Sequence, residues 1–227
     1  MNNLKKKFVS FIFIILSICL MYLFYKYNRY NLLSFFVVLL SFIPFFKKFE
    51  KKEMATRELV LIAVMTATAV VSKIIFFFTP SINPLVAVVI ISGLQFGSLF
   101  GFMVGALSPF VANMIFTQGP WTPFQMLTTG LIGLIAGSKW IRKHENNRLI
   151  ISLLAILSGV LYSLLMDIWT VLSIDGVFTW SRYFTVLVPA IPYTMTYMIS
   201  NATFVNVLIK PLSMKIKRVK QKYGLKN

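Results

Sequence analysis

The stretch from residue 84 to residue 116 contains no charged side chain, and it constrains the fold more than any other feature. As a single helix it would run to about 50 Å, well beyond the roughly 30 Å hydrocarbon core of a bilayer. The chain must therefore turn back inside this stretch, and we expect the turn in the glycine-rich sequence "GLQFGSLFG". Further apolar runs on both sides, with a hydrophobic content of 58%, are typical of an integral membrane protein.

Apolar runs of roughly 17–25 residues predict eight membrane-spanning helices. They lie near residues 8–25, 30–46, 57–78, 82–97, 99–116, 122–138, 149–172 and 183–209. In this arrangement the basic clusters at 5–7, 47–57, 139–148 and 210–226 all face the same side of the membrane. The positive-inside rule makes that side the cytoplasm, so both termini are expected there.

The predicted spans fall into two blocks of different composition. Residues 1–52 predict a transmembrane hairpin with a basic linker, residues 53–210 a six-helix membrane core, and residues 211–227 a basic cytoplasmic tail. The basic N-terminus and the first apolar run could pass for a signal peptide, but no small-residue cleavage site follows them. Within the core, glycine recurs every fourth residue from Gly93 to Gly105, a spacing that lets helices approach closely. The expected fold is therefore an all-α integral membrane protein, a six-helix core preceded by an N-terminal hairpin.

Charge and motifs exclude several classes of protein. A net charge of +17 would suit nucleic acid, but the cations form short clusters between apolar runs instead of a basic face on a soluble domain. The single cysteine, Cys19, allows no disulfide within the chain. The single histidine, His144, lies in a charged loop, and we find no metalloprotease, hydrolase or phosphate-loop motif. We expect a chain that is not an enzyme, binds no metal or cofactor and hydrolyses no ATP itself.

The segment "TQGPWTPFQM", residues 117–126, is unusual between two apolar spans. Its Gly-Pro turn, its proline in the first turn of the next helix and the interfacial Trp121 could simply anchor a turn. That interpretation gives no reason for Gln118 and Gln125. A second interpretation is that the segment covers a ligand pocket at the outer side of the membrane.

Two ionisable side chains are predicted to lie at matching depth in the outer half of the membrane. Lys73 and Asp167 both fall roughly 8 Å below the outer surface, where a charge usually faces a partner or a water-filled cavity. Alternatively, Lys73 reaches the headgroups, and Asp167 forms an ion pair with Lys73 or Arg182. The residues predicted to line an outward-opening pocket are Lys73, Asn83, Asn113, Gln118, Trp121, Gln125, Asp167, Trp169, Trp180, Arg182 and Tyr193.

In the cytoplasmic half of the first core span, Ala63 and Ala67 lie one helical turn apart. Such a pair lets another helix approach closely, either within this protein or from a partner.

From "RELVLIAVMTATAVVSK" to "GLIGLIAG", the core resembles the substrate-binding (S) components of energy-coupling factor (ECF) transporters, bacterial membrane subunits for vitamin uptake. Ala63 and Ala67 match the family's A-x-x-x-A motif for docking on the transmembrane coupling (T) component. The Asn83-Pro84 turn followed by "QGPWTPFQM" is similar to a cobalamin-type subgroup. The N-terminal hairpin is a departure from the family's six-helix pattern.

The resemblance implies a multi-pass protein of the bacterial cytoplasmic membrane that binds a vitamin and associates with a T component and two cytoplasmic ATPases. Toppling of the S component in the membrane would then deliver the vitamin. The residues leave open whether the ligand is a corrinoid, a flavin, a pterin or another heterocycle. A stand-alone carrier or channel, a structural or regulatory membrane subunit, and a lipid-modifying enzyme using Asp167 or His144 are the alternatives.

Overall fold

The computed structural model describes residues 56–79 and 81–223. Its helices are α1 (Thr56–Ile75), α2 (Leu85–Phe96), α3 (Ser98–Phe116), α4 (Thr122–Ala136), α5 (Lys139–Lys143), α6 (Arg148–Asp175) and α7 (Trp180–Tyr223). These residues include no strand, which confirms the all-α prediction. The predicted hairpin and linker, residues 1–52, lie outside the described residues.

Among the described residues, three helices are long and apolar enough to cross a membrane, as judged by length and composition. They comprise Arg57–Ile75, Ser98–Phe116 and Arg148–Asp175. Helices α2 and α4, with 12 and 15 residues, are apolar but shorter. The sixth predicted core span lies within α7, whose prolines, tyrosines and threonines make it less apolar. Each of the six core spans therefore corresponds to a helix, and α5 is a short connection.

Gly97 makes the turn that the length of the uncharged stretch required. Its φ of 98° lies in the region that glycine adopts readily and other residues avoid. Its N–H donates to the Gly93 carbonyl at 2.8 Å, which completes the last turn of α2 before α3 begins at Ser98. The prediction of a turn within "GLQFGSLFG" is confirmed.

Two glycines of α3 that follow this turn let α3 pack directly on α4. A methyl group on Gly101 would overlap the carbonyl oxygen of Gly133, and one on Gly105 would overlap the carbonyl oxygen of Thr129. The two backbones are therefore in contact, as the four-residue spacing predicted.

A proline in α3 strengthens the same interface. Pro109 has no N–H, so the carbonyl of Gly105, four residues earlier, lacks its usual helical donor. The hydroxyl of Thr129 on α4 lies 2.5 Å from that carbonyl and 2.6 Å from the Gln125 carbonyl of its own helix, so its single proton can be donated to Gly105 from α4. A buried backbone acceptor is thus satisfied from the neighbouring helix.

Helix α7 continues beyond residue 210, through the segment whose charge indicated a basic tail. Leu212 and Ile216, one turn apart, pack against the main hydrophobic core, and Lys220 follows one turn later with its ammonium 4.8 Å from the Phe96 ring centre. This spacing places one face of the segment against the bundle. The end of α7 is therefore part of the folded core.

The connections between helices lie at two ends of the bundle. We call the end that carries segments 76–79, 81–84, 117–121 and 176–179 the loop end. The other end carries Gly97, segment 137–147 and residues 210–223 of α7, and we call it the basic end.

Candidate ligand-binding site

A cavity of about 180 Å³ lies near the loop end, between the six long helices. Its walls combine amide, hydroxyl and aromatic side chains. They are formed by Lys73, Ser81, Asn83, Leu85, Val86, Pro109, Gln125, Thr129, Tyr162, Tyr197 and Asn201. Lys73 carries the one charge among these lining residues.

Three residues that the sequence predicted for a pocket, Lys73, Asn83 and Gln125, meet in this cavity. Lys73 lies near the end of α1, and its ammonium is 4.8 Å from the centre of the Phe116 ring. Phe116 is in turn stacked on Phe77, with ring centres 5.5 Å apart. The Phe116 ring, supported by Phe77, holds the lysine at the cavity through a cation–π contact.

Asn83 belongs to a loop that is fixed by α7. Its N–H donates to the Ser200 hydroxyl at 3.2 Å, and that hydroxyl can donate to the Asn83 carbonyl at 3.4 Å. The Asn83 side chain accepts a bond from the N–H of Leu85, the first residue of α2, at 3.2 Å. The loop wall of the cavity is therefore tied both to α2 and to α7.

Gln125 is held by a chain of side-chain hydrogen bonds. The Asn113 amide donates to Gln125 Oε1 at 2.7 Å and to the Thr122 hydroxyl at 2.9 Å. Thr122 donates to Gln118 Oε1 at 3.0 Å, and Gln118 Nε2 donates to the Phe110 carbonyl at 2.8 Å. With Oε1 of Gln125 bonded to Asn113, the Gln125 side chain also makes a hydrogen bond with Tyr162, which joins this chain of bonds to the aromatic wall of the cavity. Asn113 and Gln118, which the sequence predicted as pocket residues, stand behind Gln125.

Trp121 closes the turn of the same segment. Its ring packs so tightly on Gly119 that any side chain there would overlap it, and the ring also borders the main hydrophobic core. It does not line the cavity. Its predicted stacking on a ligand stays a prediction.

Tyr162 and Tyr197 form an aromatic wall that sequence reasoning missed. Their rings meet edge to face, with centres 5.2 Å apart. Ser81, Thr129 and Asn201 were also missed. Asn201 could have been found, because an amide inside an apolar span usually faces the protein interior.

The remaining predicted pocket residues lie elsewhere. Trp169 is buried against Phe124, with ring centres 5.1 Å apart. Asp167 is buried on α6, and within the described part of the chain its Oδ2 atom has no hydrogen-bond partner. Arg182 pairs with Asp175 at 3.0 Å, which is not the Asp167 partner considered above. Trp180 and Tyr193 are 67% and 61% exposed.

Ala63 and Ala67 lie on the outer face of α1. Val60 and Val64, beside them, are 56% and 52% exposed, so no described helix covers this face. The alanine pair is therefore not used for packing within the described core.

The family model described as "ECF-type riboflavin transporter, S component" matches residues 53–218, most of the chain and all six core spans. This confirms the resemblance to S components and gives no support to the cobalamin-type subgroup. No curated protein matches the chain, and no solved structure matches it either. The family is one of membrane transport components and not of enzymes. With its all-helical core and this match, the chain belongs to the ECF-type riboflavin transporter S component family.

Proposed function

We propose that this protein is the riboflavin-binding component of an ATP-driven uptake system and that it binds the flavin in the cavity near the loop end. One observation carries the proposal: side chains from six helices converge on a polar and aromatic cavity in a chain that matches the riboflavin-type family. The chemistry of its walls suits such a ligand.

Riboflavin is uncharged, with a planar aromatic ring system, ring carbonyl and N–H groups, and a hydroxylated side chain. The Tyr162 and Tyr197 rings offer it an aromatic surface. The amides of Asn83, Gln125 and Asn201 can donate to ring carbonyls or accept from N–H and hydroxyl groups. A neutral ligand needs no array of cations, and the described lining of the cavity contains a single one, Lys73.

The size of the cavity bears on how the ligand enters. Its 180 Å³ is less than the roughly 300–1,000 Å³ of typical small-molecule sites. We therefore expect residues 81–84 and segment 117–121 to move apart when the ligand binds. A flat flavin ring requires a smaller opening than a corrin with its attached nucleotide, so the cavity favours the flavin over cobalamin.

Orientation and partners follow from the charges and the exposed alanines. The concentration of Lys and Arg at the basic end favours a cytoplasmic location for that end, which directs the cavity outward. The face that contains Ala63 and Ala67 would dock on the T component, and two ATPases would supply the energy.

The substrate is tested by purifying the full chain in detergent from cells grown in rich medium, denaturing it, and identifying released compounds by mass spectrometry and absorbance. We expect riboflavin. A corrinoid in its place would contradict the substrate, and a protein that releases no vitamin and binds none from a panel would contradict the function.

The cavity is tested by titrating riboflavin and following the quenching of its fluorescence. Tyr197→Ala should raise the dissociation constant about tenfold or more, because it removes an aromatic wall. Tyr193→Ala is the matched control, since Tyr193 lies one turn away on α7 and is exposed. Equal effects of the two substitutions would exclude this cavity as the site.

The docking face is tested with the double substitution A63W/A67W. It should abolish co-purification with the T component while riboflavin affinity stays unchanged. The control is L153W/L157W, an exposed pair with the same spacing on α6. Loss of the complex in both variants would argue against a specific role for the alanines.

A further inference from the structure

Two adjoining cavities of about 260 and 420 Å³ lie at the basic end. They are at the opposite end of the bundle from the cavity lined by Lys73, Asn83 and Gln125, which we call the flavin cavity after its proposed ligand. They share three lining residues, Gln95 at the end of α2, Glu145 after α5 and Lys217 on α7. Together they form one concave surface, which we call the basic cleft.

The basic cleft is strongly cationic. The seven cations that line it come from α5, from the start of α6 and from α7. They are Lys139, Arg142, Lys143, Arg148, Lys210, Lys217 and Lys220. Glu145 is the one carboxylate in this lining, and it is already occupied by Gln95 Nε2 at 3.1 Å and Lys217 Nζ at 3.7 Å. The cleft therefore has a large excess of positive charge.

Two of these cations are fixed to the end of α2. Arg142 Nε donates to the Leu94 carbonyl at 2.9 Å, and Lys220 donates to the Gln95 carbonyl. Burial lowers the pKa of Lys220, and the positive charge of Arg142 lowers it further, while Glu145 acts in the opposite direction. Cations that disfavour one another's charge in this way would be stabilised by a bound anion.

One wall of the cleft is apolar. Ile151 on α6 and Ile209 and Met214 on α7 line the smaller cavity, next to Arg148 and Lys210. A cleft with cations on one side and aliphatic side chains between two helices on the other matches an amphipathic ligand better than a small soluble anion.

We propose that the basic cleft binds a phosphate-bearing anion, and that its apolar wall makes an anionic phospholipid the preferred ligand. The phosphate would lie among the cations of α5 and α7, with the glycerol and the first carbons of the acyl chains against the apolar wall. This proposal does not depend on the identity of the transported ligand.

The test is native mass spectrometry of the full chain in a neutral detergent, titrated with phosphatidylglycerol or with phosphatidylcholine of the same acyl chains. We expect phosphatidylglycerol to bind about tenfold more tightly, because several cations each favour the net negative lipid. The variant K139Q/K143Q/K217Q should lose this preference while keeping Arg142 and Lys220, which bond to α2. The control K215Q/R218Q/K222Q removes equal charge from α7 positions that do not line the cleft.

The outcomes distinguish a lipid ligand from a soluble phosphate compound, and both of these from the absence of a specific site. If glycerol 3-phosphate displaces the lipid at similar concentrations, the site takes a soluble phosphate compound and the shared chemistry holds. Equal binding of both lipids by the unmodified protein would overturn the proposal, and so would an equal loss in the two triple variants. Circular dichroism of each variant verifies folding, and Lys143→Gln alone should show part of the loss even if the triple variant does not fold.

Discussion

The flavin cavity and the basic cleft both form where several helices meet, yet their walls differ in charge and in how they are fixed. The flavin cavity has one cation, and hydrogen bonds orient its amides individually, such as the bond from Asn113 to Gln125 at 2.7 Å. The basic cleft has seven cations, most of them on flexible side chains. A neutral heterocycle is recognised by the geometry of hydrogen bonds, whereas an anion is recognised by a summed field. Substitutions should therefore act one bond at a time in the first site and by number of charges in the second.

The flavin cavity and the basic cleft are formed by helices of the same bundle. The largest expected effect on both therefore comes from the glycines that let α3 pack on α4. Gly101→Ala would drive a methyl group into the backbone of α4 and should destabilise the protein by about 3 kcal/mol or more. We expect a strongly lowered melting temperature in detergent, with loss of both riboflavin and phosphatidylglycerol binding.

The matched control is Gly176→Ala at the end of α6, where an added methyl group would meet nothing within 4 Å. Its φ of 74° makes the substitution cost about 1–2 kcal/mol through backbone conformation alone. If Gly101→Ala were no more destabilising than this control, the two sites would not depend on close contact between the α3 and α4 backbones.

A smaller effect is expected from the hydroxyl that replaces the missing proline N–H. Thr129→Val leaves the Gly105 carbonyl without its donor from α4, which should cost about 1–3 kcal/mol. Thr128→Val is the control, because Thr128 is equally buried but donates to Phe124 within its own helix. Thermal unfolding of both variants measures the difference. Similar melting temperatures would mean that Gly105 needs no partner from α4.

These interactions show which parts of the molecule could be predicted. The turn at Gly97 was predictable because an uncharged stretch too long for the bilayer must reverse, and only glycine suits its φ. Lys73, Asn83 and Gln125 could be predicted as cavity residues because burying a polar side chain in a membrane is costly unless it faces a partner or a cavity. All three lie near helix ends, where the sequence fixes the depth in the membrane.

The rest depended on packing that no single segment encodes. Tyr162 and Tyr197 lie near the middle of the predicted spans 149–172 and 183–209, and only the rotation of α6 against α7 places them in the cavity. Asn113 and Gln118 were placed at the right level, but their contact with Gln125 and Thr122 requires the folded turn. At the end of α7, the many Lys and Arg residues predicted a solvated tail. The helical spacing of the buried Leu212 and Ile216 was therefore overlooked.

A smaller effect is expected from Asn113, which does not line the flavin cavity but orients Gln125, a residue that does. Asn113→Leu releases Gln125 Oε1, so the amide is no longer oriented, and riboflavin affinity should fall about fivefold for one lost hydrogen bond. Asn206→Leu is the counterpart at the basic cleft, where the Asn206 amide donates to Ser152 at 2.7 Å. Fluorescence titration should show unchanged riboflavin affinity for that variant. Equal losses would mean that the two ends are coupled.

The smallest effect is expected for Arg182, which the sequence assigned to the ligand pocket. Its ion pair with Asp175 is 40% and 34% exposed on the two side chains, and such pairs contribute about 0–1 kcal/mol. Arg182→Gln should therefore lower the unfolding free energy by less than about 1 kcal/mol, with a difference that shrinks as salt screens the pair. Riboflavin affinity should not change, because Arg182 lies outside the cavity lining. Asp175→Asn removes the other partner and should give the same small shift, and the double variant should add nothing further. A clear loss of riboflavin affinity in Arg182→Gln alone would extend the flavin site to the start of α7 and introduce a second cation into it. The contrast in charge between the two sites would then be weaker than the lining residues indicate.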